Sequence, residues 1–223
     1  MPLVSTNAIL PRARSEGYAV GAFSVDNIES IEGVIEAASS EAAPVILLAG
    51  QATVKHTRYE YLAAVVREIA AEAPIPIVLQ LDHGVDYEQA MRCIRCGYSA
   101  VMIDASALPL EENIAVTREV ARAAHAVGIS VEGELGRVAP AGVGSTAEDW
   151  FTLPSEAERF AAETEVDVMA VSYGSAHGVY GGKKTAMNFE RLAEISRMVS
   201  VPLALHGGTG VAHADIARSI KLG

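Results

Sequence analysis

Three of the six histidines in this 223-residue chain stand in short polar, glycine-flanked contexts at the ends of apolar runs: His83 in "LDHG", His177 in "YGSAHGVY" and His206 in "LHGGTG". Brought together, three imidazoles leave one position open on a tetrahedral ion, which is how a catalytic zinc is commonly held. Any one of them alone reads as a hydrogen-bonding histidine in a polar setting, and it is the shared context of all three that points to a metal. His56, His125 and His213 lie in helical or connecting stretches and carry no such signal. Carboxylates accompany the trio. Asp104 in "MIDAS" and Glu134 in "EGELG" also close apolar runs, where a carboxylate serves either as an alternative metal ligand or as the partner that orients a ligating imidazole. Glu132 shares the face of Glu134 by the two-residue period of a strand and reads equally well as part of a buried ion pair. Asp82 precedes His83 directly, placing an acid and an imidazole together at the tip of "IPIVLQL". The glycines supply a second kind of chemistry. In "HGGTG", Gly207, Gly208 and Thr209 are suited to holding a phosphate by backbone N–H groups. "SAHGVYGGKK" adds Gly178, Gly181 and Gly182 with the cations Lys183 and Lys184. Singly, each of these glycines is as well explained by an ordinary turn.

Positioning those residues requires a scaffold, and the chain spells one out. Seven β-branched or apolar runs recur: "YAVGAF", "PVILLA", "IPIVLQL", "SAVMIDA", "ISVEGEL", "VDVMAVSY" and "VPLALHG". Between them lie segments of helical spacing such as "IESIEGVIEAASSEA", "YEYLAAVVREIAAEA", "EENIAVTREVARAAHAVG" and "FERLAEISRMVS". Near-continuous apolar strands alternating with helices predict an α/β fold with a parallel sheet, either an eight-stranded (β/α)8 TIM barrel or an open, doubly wound sheet. The turn after the first strand, "AFSVDN", lacks the glycines of a dinucleotide fingerprint, which weighs against the open fold. The polar residues named above fall at or just past the C-terminal ends of strands three to seven, the one face on which a barrel carries its chemistry, and "HGGTG" follows strand seven, where barrels often bind phosphate. The strand count is one short. A single barrel domain over residues 1–223 is expected, incomplete at its C-terminal end, with the eighth strand and helix missing.

Composition narrows the partners. Half of the residues are hydrophobic, and 17 Lys and Arg against 28 Asp and Glu leave a formal net charge of −11. No basic cluster interleaved with aromatics is present to track a phosphate backbone, so nucleic acid is not an expected partner. An anionic small molecule remains compatible, because a local metal and backbone N–H groups can oppose the overall sign. No run reaches the roughly 18 apolar residues of a membrane span, and the N-terminus shows no basic region followed by an apolar core, which predicts a cytoplasmic protein that does not enter a membrane. Cys93 and Cys96 form a lone C-x-x-C in what reads as helix interior, a structural pair rather than a redox or zinc motif.

Taken together, "LDHG", "VMIDAS", "VEGELGRV", "SYGSAHGVY" and "LHGGTG" resemble the class II, zinc-dependent ketose-bisphosphate aldolases, the fructose- and tagatose-bisphosphate aldolase family, from about residue 5 to residue 223. The resemblance implies aldol cleavage of a ketose bisphosphate to dihydroxyacetone phosphate and an aldehyde such as glyceraldehyde 3-phosphate. It implies Zn2+ on His83, His177 and His206, a second or transient metal position involving Asp104 and Glu134, and Asp82 as the catalytic acid/base. Gly178, Gly207, Gly208 and Thr209 would hold the phosphate, near a monovalent cation (Na+ or K+), in a homodimer or homotetramer. No lysine at a strand tip suits a Schiff base, so the imine mechanism of other aldolases is not supported.

The chain departs from the family's pattern in places. Ser24 stands where asparagine is usual, Ala49 where serine is common and Gln80 where histidine is frequent, and all three are expected at the mouth, retuning the substrate. The loop after strand five reads "PAGV" where relatives carry a "G-x-E-D" acid, leaving Glu148 or Asp149 as the substitute. The competing readings are a non-catalytic phospho-sugar-binding or partner subunit that keeps the zinc site, an aldolase for a different phosphorylated ketose, and a hydrolytic metalloenzyme on the same three histidines.

Overall fold

The structure, a computed structural model, describes residues 3–136, 139–140, 150–178 and 187–223, and of residues 139–140 the backbone pairing alone. Seven parallel strands lie side by side in chain order: β1 (Gly21–Ser24), β2 (Val45–Ala49), β3 (Ile77–Gly84), β4 (Ala100–Ile103), β5 (Ser130–Leu135), β7 (Val168–Val171) and β9 (Leu203–Ala204). Two further strands, β6 (Ala139–Pro140) and β8 (Ala176–His177), pair with each other as a separate ladder. Helices α2 (Ile28–Ser40), α3 (Gln51–Thr57), α4 (Tyr59–Glu72), α5 (Tyr87–Cys96), α6 (Leu110–His125), α7 (Pro154–Thr164) and α8 (Phe189–Met198) separate the main strands, and α9 (His213–Leu222) follows β9. The sheet is curled, with β1 and β9 as its two edges. This is the expected TIM-barrel architecture without the eighth unit.

Local chemistry explains the helix boundaries. Asn27 and Ser30 close a reciprocal capping box on α2, and the Asp86 side chain accepts from Gln89 N at 2.7 Å to start α5. Cys93 and Cys96 sit on α5 as free thiols, Cys93 fully buried, and burial pushes both thiols up from their ordinary pKa. That environment supports the structural reading.

The two faces of the strands differ in kind. Val45, Leu47, Ile77, Leu79, Leu81, Val101, Ile103 and Val131 belong to the main core shared with the helices. The inner face begins apolar, where Ile46, Val78 and Ala100 close over Ile9. Two residues further along the strands it turns polar at Gln80 and Glu132, and at the strand tips it carries Asp82, Asp104 and Glu134. Its apolar end is stoppered by the N-terminal segment that carries α1 (Leu10–Glu16). Val4 N donates to Ile77 O at 2.9 Å, and Thr6 N donates to Ser130 Oγ at 3.0 Å. The Arg14 guanidinium donates to the carbonyls of Ser196, Val199 and Val201, tying α1 to the approach of β9. Among the described residues no helix is long and apolar enough to cross a membrane.

Candidate active site

Adjacent residues of a strand normally face opposite ways, so Asp82 and His83 pose a geometric problem. A bulge in β3 resolves it. Leu81 pairs with Val101 and Gly84 with Ile103, so three steps on β3 match two on β4. His83 takes a left-handed φ of 50°, which is uncommon outside glycine. One extra residue therefore turns His83 back to the side that Asp82 already occupies, a re-aiming that bulges near functional sites provide. The strained carbonyl of His83 is held from below by Gln51 Nε2 at 2.8 Å, and Gln51 is in turn bonded to Gln89 at 3.0 Å. Gly84 closes the bulge, where a Cβ would stand 2.4 Å from Met102 O.

The other two histidines arrive by different routes. His177 lies on β8, past the end of β7, and not on the sixth main strand itself. His206 follows β9, and the next residue, Gly207, has φ 69° and lies so close to β8 that a Cβ would fall 2.3 Å from Ala176 O. That close approach draws the loop of His206 against the strand of His177. The ring centroids of His83 lie 4.8 Å from those of both His177 and His206. His83 Nε2 and His206 Nδ1 are 3.1 Å apart.

Carboxylates surround the trio. His83 Nδ1, on the opposite side of its ring from His206, is 2.8 Å from Asp104 Oδ2 and 3.5 Å from Glu134 Oε2. Asp104 Oδ1 accepts from Ser106 Oγ at 2.7 Å and from Ser106 N at 3.2 Å. Burial alone would raise the Asp104 pKa, but the bonds to His83 and Ser106 carry it down to about 2. Glu134 moves the other way, to about 7, because it is buried and faces the charge of Asp104. Burial likewise pushes Asp82 up, against the opposing pull of His83 and His206. Glu132 Oε1 is 2.7 Å from His206 Nε2, and that contact outweighs burial to lift His206 to about 9. His177 falls to about 4 through burial and the charges of the other two histidines.

Two donor sets could hold a metal. His83, His177 and His206 form one and His83, Asp104 and Glu134 the other, with the ligand atoms of each within 4.8 Å of one another. The residues fit a cation. Two ligands of a tetrahedral ion with bonds of about 2 Å lie about 3.3 Å apart, close to the separation of His83 Nε2 and His206 Nδ1. Asp82 Oδ1 and Glu134 Oε2 are buried with no hydrogen-bond partner among the described residues. Each such atom costs about 1–3 kcal/mol if nothing ever meets it. Acceptors left open around clustered imidazoles are what a cation and a polar substrate would satisfy.

Of the residues singled out in the sequence, Asp82, His83, Asp104, Glu134, His177 and His206 are brought together. Gly178 follows His177 with φ 96°, and Gly208 and Thr209 open the short 3-10 turn that follows Gly207, beside β8. Glu148, Asp149, Gly181, Gly182, Lys183 and Lys184 lie outside the described residues. Two of the three presumed mouth positions are elsewhere. Ala49 is fully buried in the core, and Gln80 lies beneath the site, donating to Glu132 Oε2 at 2.8 Å. Gln80 is thus a site residue that sequence reasoning misplaced. The available signal was a single polar side chain inside an otherwise apolar strand, which must find a buried partner.

The sequence pattern described as class-II fructose-bisphosphate aldolase matches residues 4–223. The chain is 38% identical over 227 residues to a probable fructose-bisphosphate aldolase of Bacillus subtilis (strain 168), covering 100% of this chain and 79% of that protein. It is equally 38% identical over 231 residues to a sulfofructosephosphate aldolase of Alkalicoccus urumqiensis, covering 100% of this chain and 78% of that one. Among solved structures, the YdjI aldolase of Escherichia coli K12 superposes with a TM-score of 0.90 at 35% identity, over 99% of this chain and 79% of that chain.

Proposed function

Since the chain belongs to the class-II fructose-bisphosphate aldolase family and is a carbon–carbon lyase, we propose that it cleaves a ketose bisphosphate, fructose 1,6- or tagatose 1,6-bisphosphate, using zinc held by His83, His177 and His206. The products would be dihydroxyacetone phosphate and glyceraldehyde 3-phosphate. The observation that carries the reading is the convergence of three imidazoles beside Asp82, whose buried Oδ1 has no hydrogen-bond partner among the described residues. When bound, the ion supplies Lewis-acid polarisation of the substrate carbonyl.

The remaining work falls to the chain's own groups. Asp82 Oδ1 takes the proton from the hydroxyl on the carbon that becomes the aldehyde, and the electron pair of the breaking carbon–carbon bond stays with the dihydroxyacetone phosphate fragment. A carboxylate whose pKa is raised by burial is a stronger base for that step and returns the proton readily in condensation. Asp104, bonded to His83 Nδ1, keeps the opposite nitrogen directed at the other two histidines. Gly178, Gly207, Gly208 and Thr209 are assigned to the phosphate, supported by the left-handed φ of Gly178 and Gly207, which directly follow His177 and His206. Glu148 or Asp149 is retained as the acid that moves the second proton, and family membership supports a dimer or tetramer.

Equal identity to a sulfofructosephosphate aldolase favours one alternative, a different phosphorylated ketose. The test is elemental analysis of native and zinc-reloaded protein together with coupled detection of dihydroxyacetone phosphate from fructose bisphosphate, tagatose bisphosphate and sulfofructose phosphate. About one zinc per chain and release from one of the bisphosphates are expected. Release from sulfofructose phosphate alone would transfer the assignment to that sugar. Absence of stoichiometric metal from both preparations, or no release from any of the three, would refute the reading.

A further inference from the structure

We propose that Gln80 and Glu132 form a buried positioning relay that decides which ring nitrogen of His206 is offered to the metal, Nδ1 and not Nε2. The inference rests on the metal-centre reading above. Glu132 Oε1 lies 2.7 Å from His206 Nε2, and Gln80 Nε2 donates to the other carboxylate oxygen, Oε2, at 2.8 Å. Nε2 is therefore engaged on the side away from His83, while Nδ1 stands 3.1 Å from His83 Nε2. An imidazole held through one nitrogen by a carboxylate keeps its proton there and presents the lone pair of the other.

Water does not compete for these bonds, since Gln80 is 3% and Glu132 5% exposed. The two side chains start from β3 and β5 and meet across β4, where the residue paired with Gln80 is the small Ala100. The amide nitrogen of Gln80 must face Glu132, because a carboxylate only accepts. Its Oε1 has no hydrogen-bond partner among the described residues. An apolar side chain of the same size would avoid that orphan, so packing does not account for a glutamine at this position. Holding Glu132 by the oxygen that His206 does not use fixes the carboxylate plane. The ring of His206 is then gripped in one orientation, with Nδ1 toward the site.

The relay is tested first in zinc-loaded protein labelled with 15N-histidine. His206 should show a protonated Nε2 and a zinc-bound Nδ1; zinc on Nε2 overturns the proposal. Glu132→Gln allows its amide to turn a donor toward His206, and zinc affinity measured by chelator competition should fall about 10–100-fold. Gln80→Leu should weaken zinc less, and should add nothing in the Glu132→Gln background. An unchanged affinity in Glu132→Gln, or a Gln80→Leu effect undiminished in the double variant, overturns the relay. Should Glu132→Gln fail to fold, the wild-type ring signature and Gln80→Leu still decide. Wild-type protein that takes up no zinc overturns both readings, whereas wild-type uptake with an unaffected Glu132→Gln overturns the relay alone.

Discussion

Asp82→Ala is expected to slow cleavage of the phosphorylated ketose by about 10²–10⁴-fold, the usual contribution of a positioned general acid/base, while zinc content stays at the wild-type level. The separation of the two readouts follows from the geometry. Asp82 Oδ1 stays 3.9 Å from His83 Nε2 and has no hydrogen-bond partner among the described residues, so its removal unseats none of the three imidazoles. His83 is instead held by Asp104, and its backbone by Gln51. Turnover and elemental zinc measured on one preparation check both halves. Full activity in the variant would remove Asp82 from proton transfer, and loss of zinc would make it structural.

His83→Ala should be more severe, abolishing stoichiometric zinc and turnover together. His83 belongs to both candidate donor sets, the three histidines and the group with Asp104 and Glu134, so its loss leaves neither intact. It also leaves Asp104 and Glu134 facing each other without the intervening ring, and like charges at that range repel in a buried setting. His125→Ala is the matched control. His125 is bonded to Asp167 at 2.8 Å, outside both donor sets, and its loss should leave zinc and activity in place. Zinc retained at wild-type affinity in His83→Ala would remove this residue from the centre.

The alternation of strand and helix, and the gathering of chemistry at strand tips, were legible because both are periodic and local. Asp82, His83, Asp104 and Glu134 could be placed from the apolar runs they close. Partners across strands were not legible. Period two puts Glu132 on the inner face but does not say that it reaches His206, 74 residues away, or Gln80, 52 residues away. Gln80 therefore read as a mouth residue. The bulge at His83 escaped for another reason: its signature is a pairing register with the neighbouring strand, and a single strand read alone has no register. His177 read as lying at or just past the end of the sixth strand, "VDVMAVSY"; the ladder stops at Val171, and His177 belongs to the short separate strand β8, whose pairing with β6 a single strand does not reveal.

The clasp between α1 and the approach to β9 also sets an order of events. Arg14 meets carbonyls 182 to 187 residues further along the chain, and Thr6 meets Ser130 across 124 residues. Contacts of such separation are the most expensive in loop entropy and form only once the intervening strands exist. On a ribosome, residues 3–16 emerge well before the anchors at Ser130, Ser196 and Val201 that they will meet. Ile9 and Leu10 must wait in the open while the strands that will cover them are still being synthesised, which makes this segment a natural foothold for a chaperone. Pulse-labelled hydrogen exchange during refolding should find the amides of residues 6–16 the last to gain protection, and protection there ahead of β5 would reverse that order.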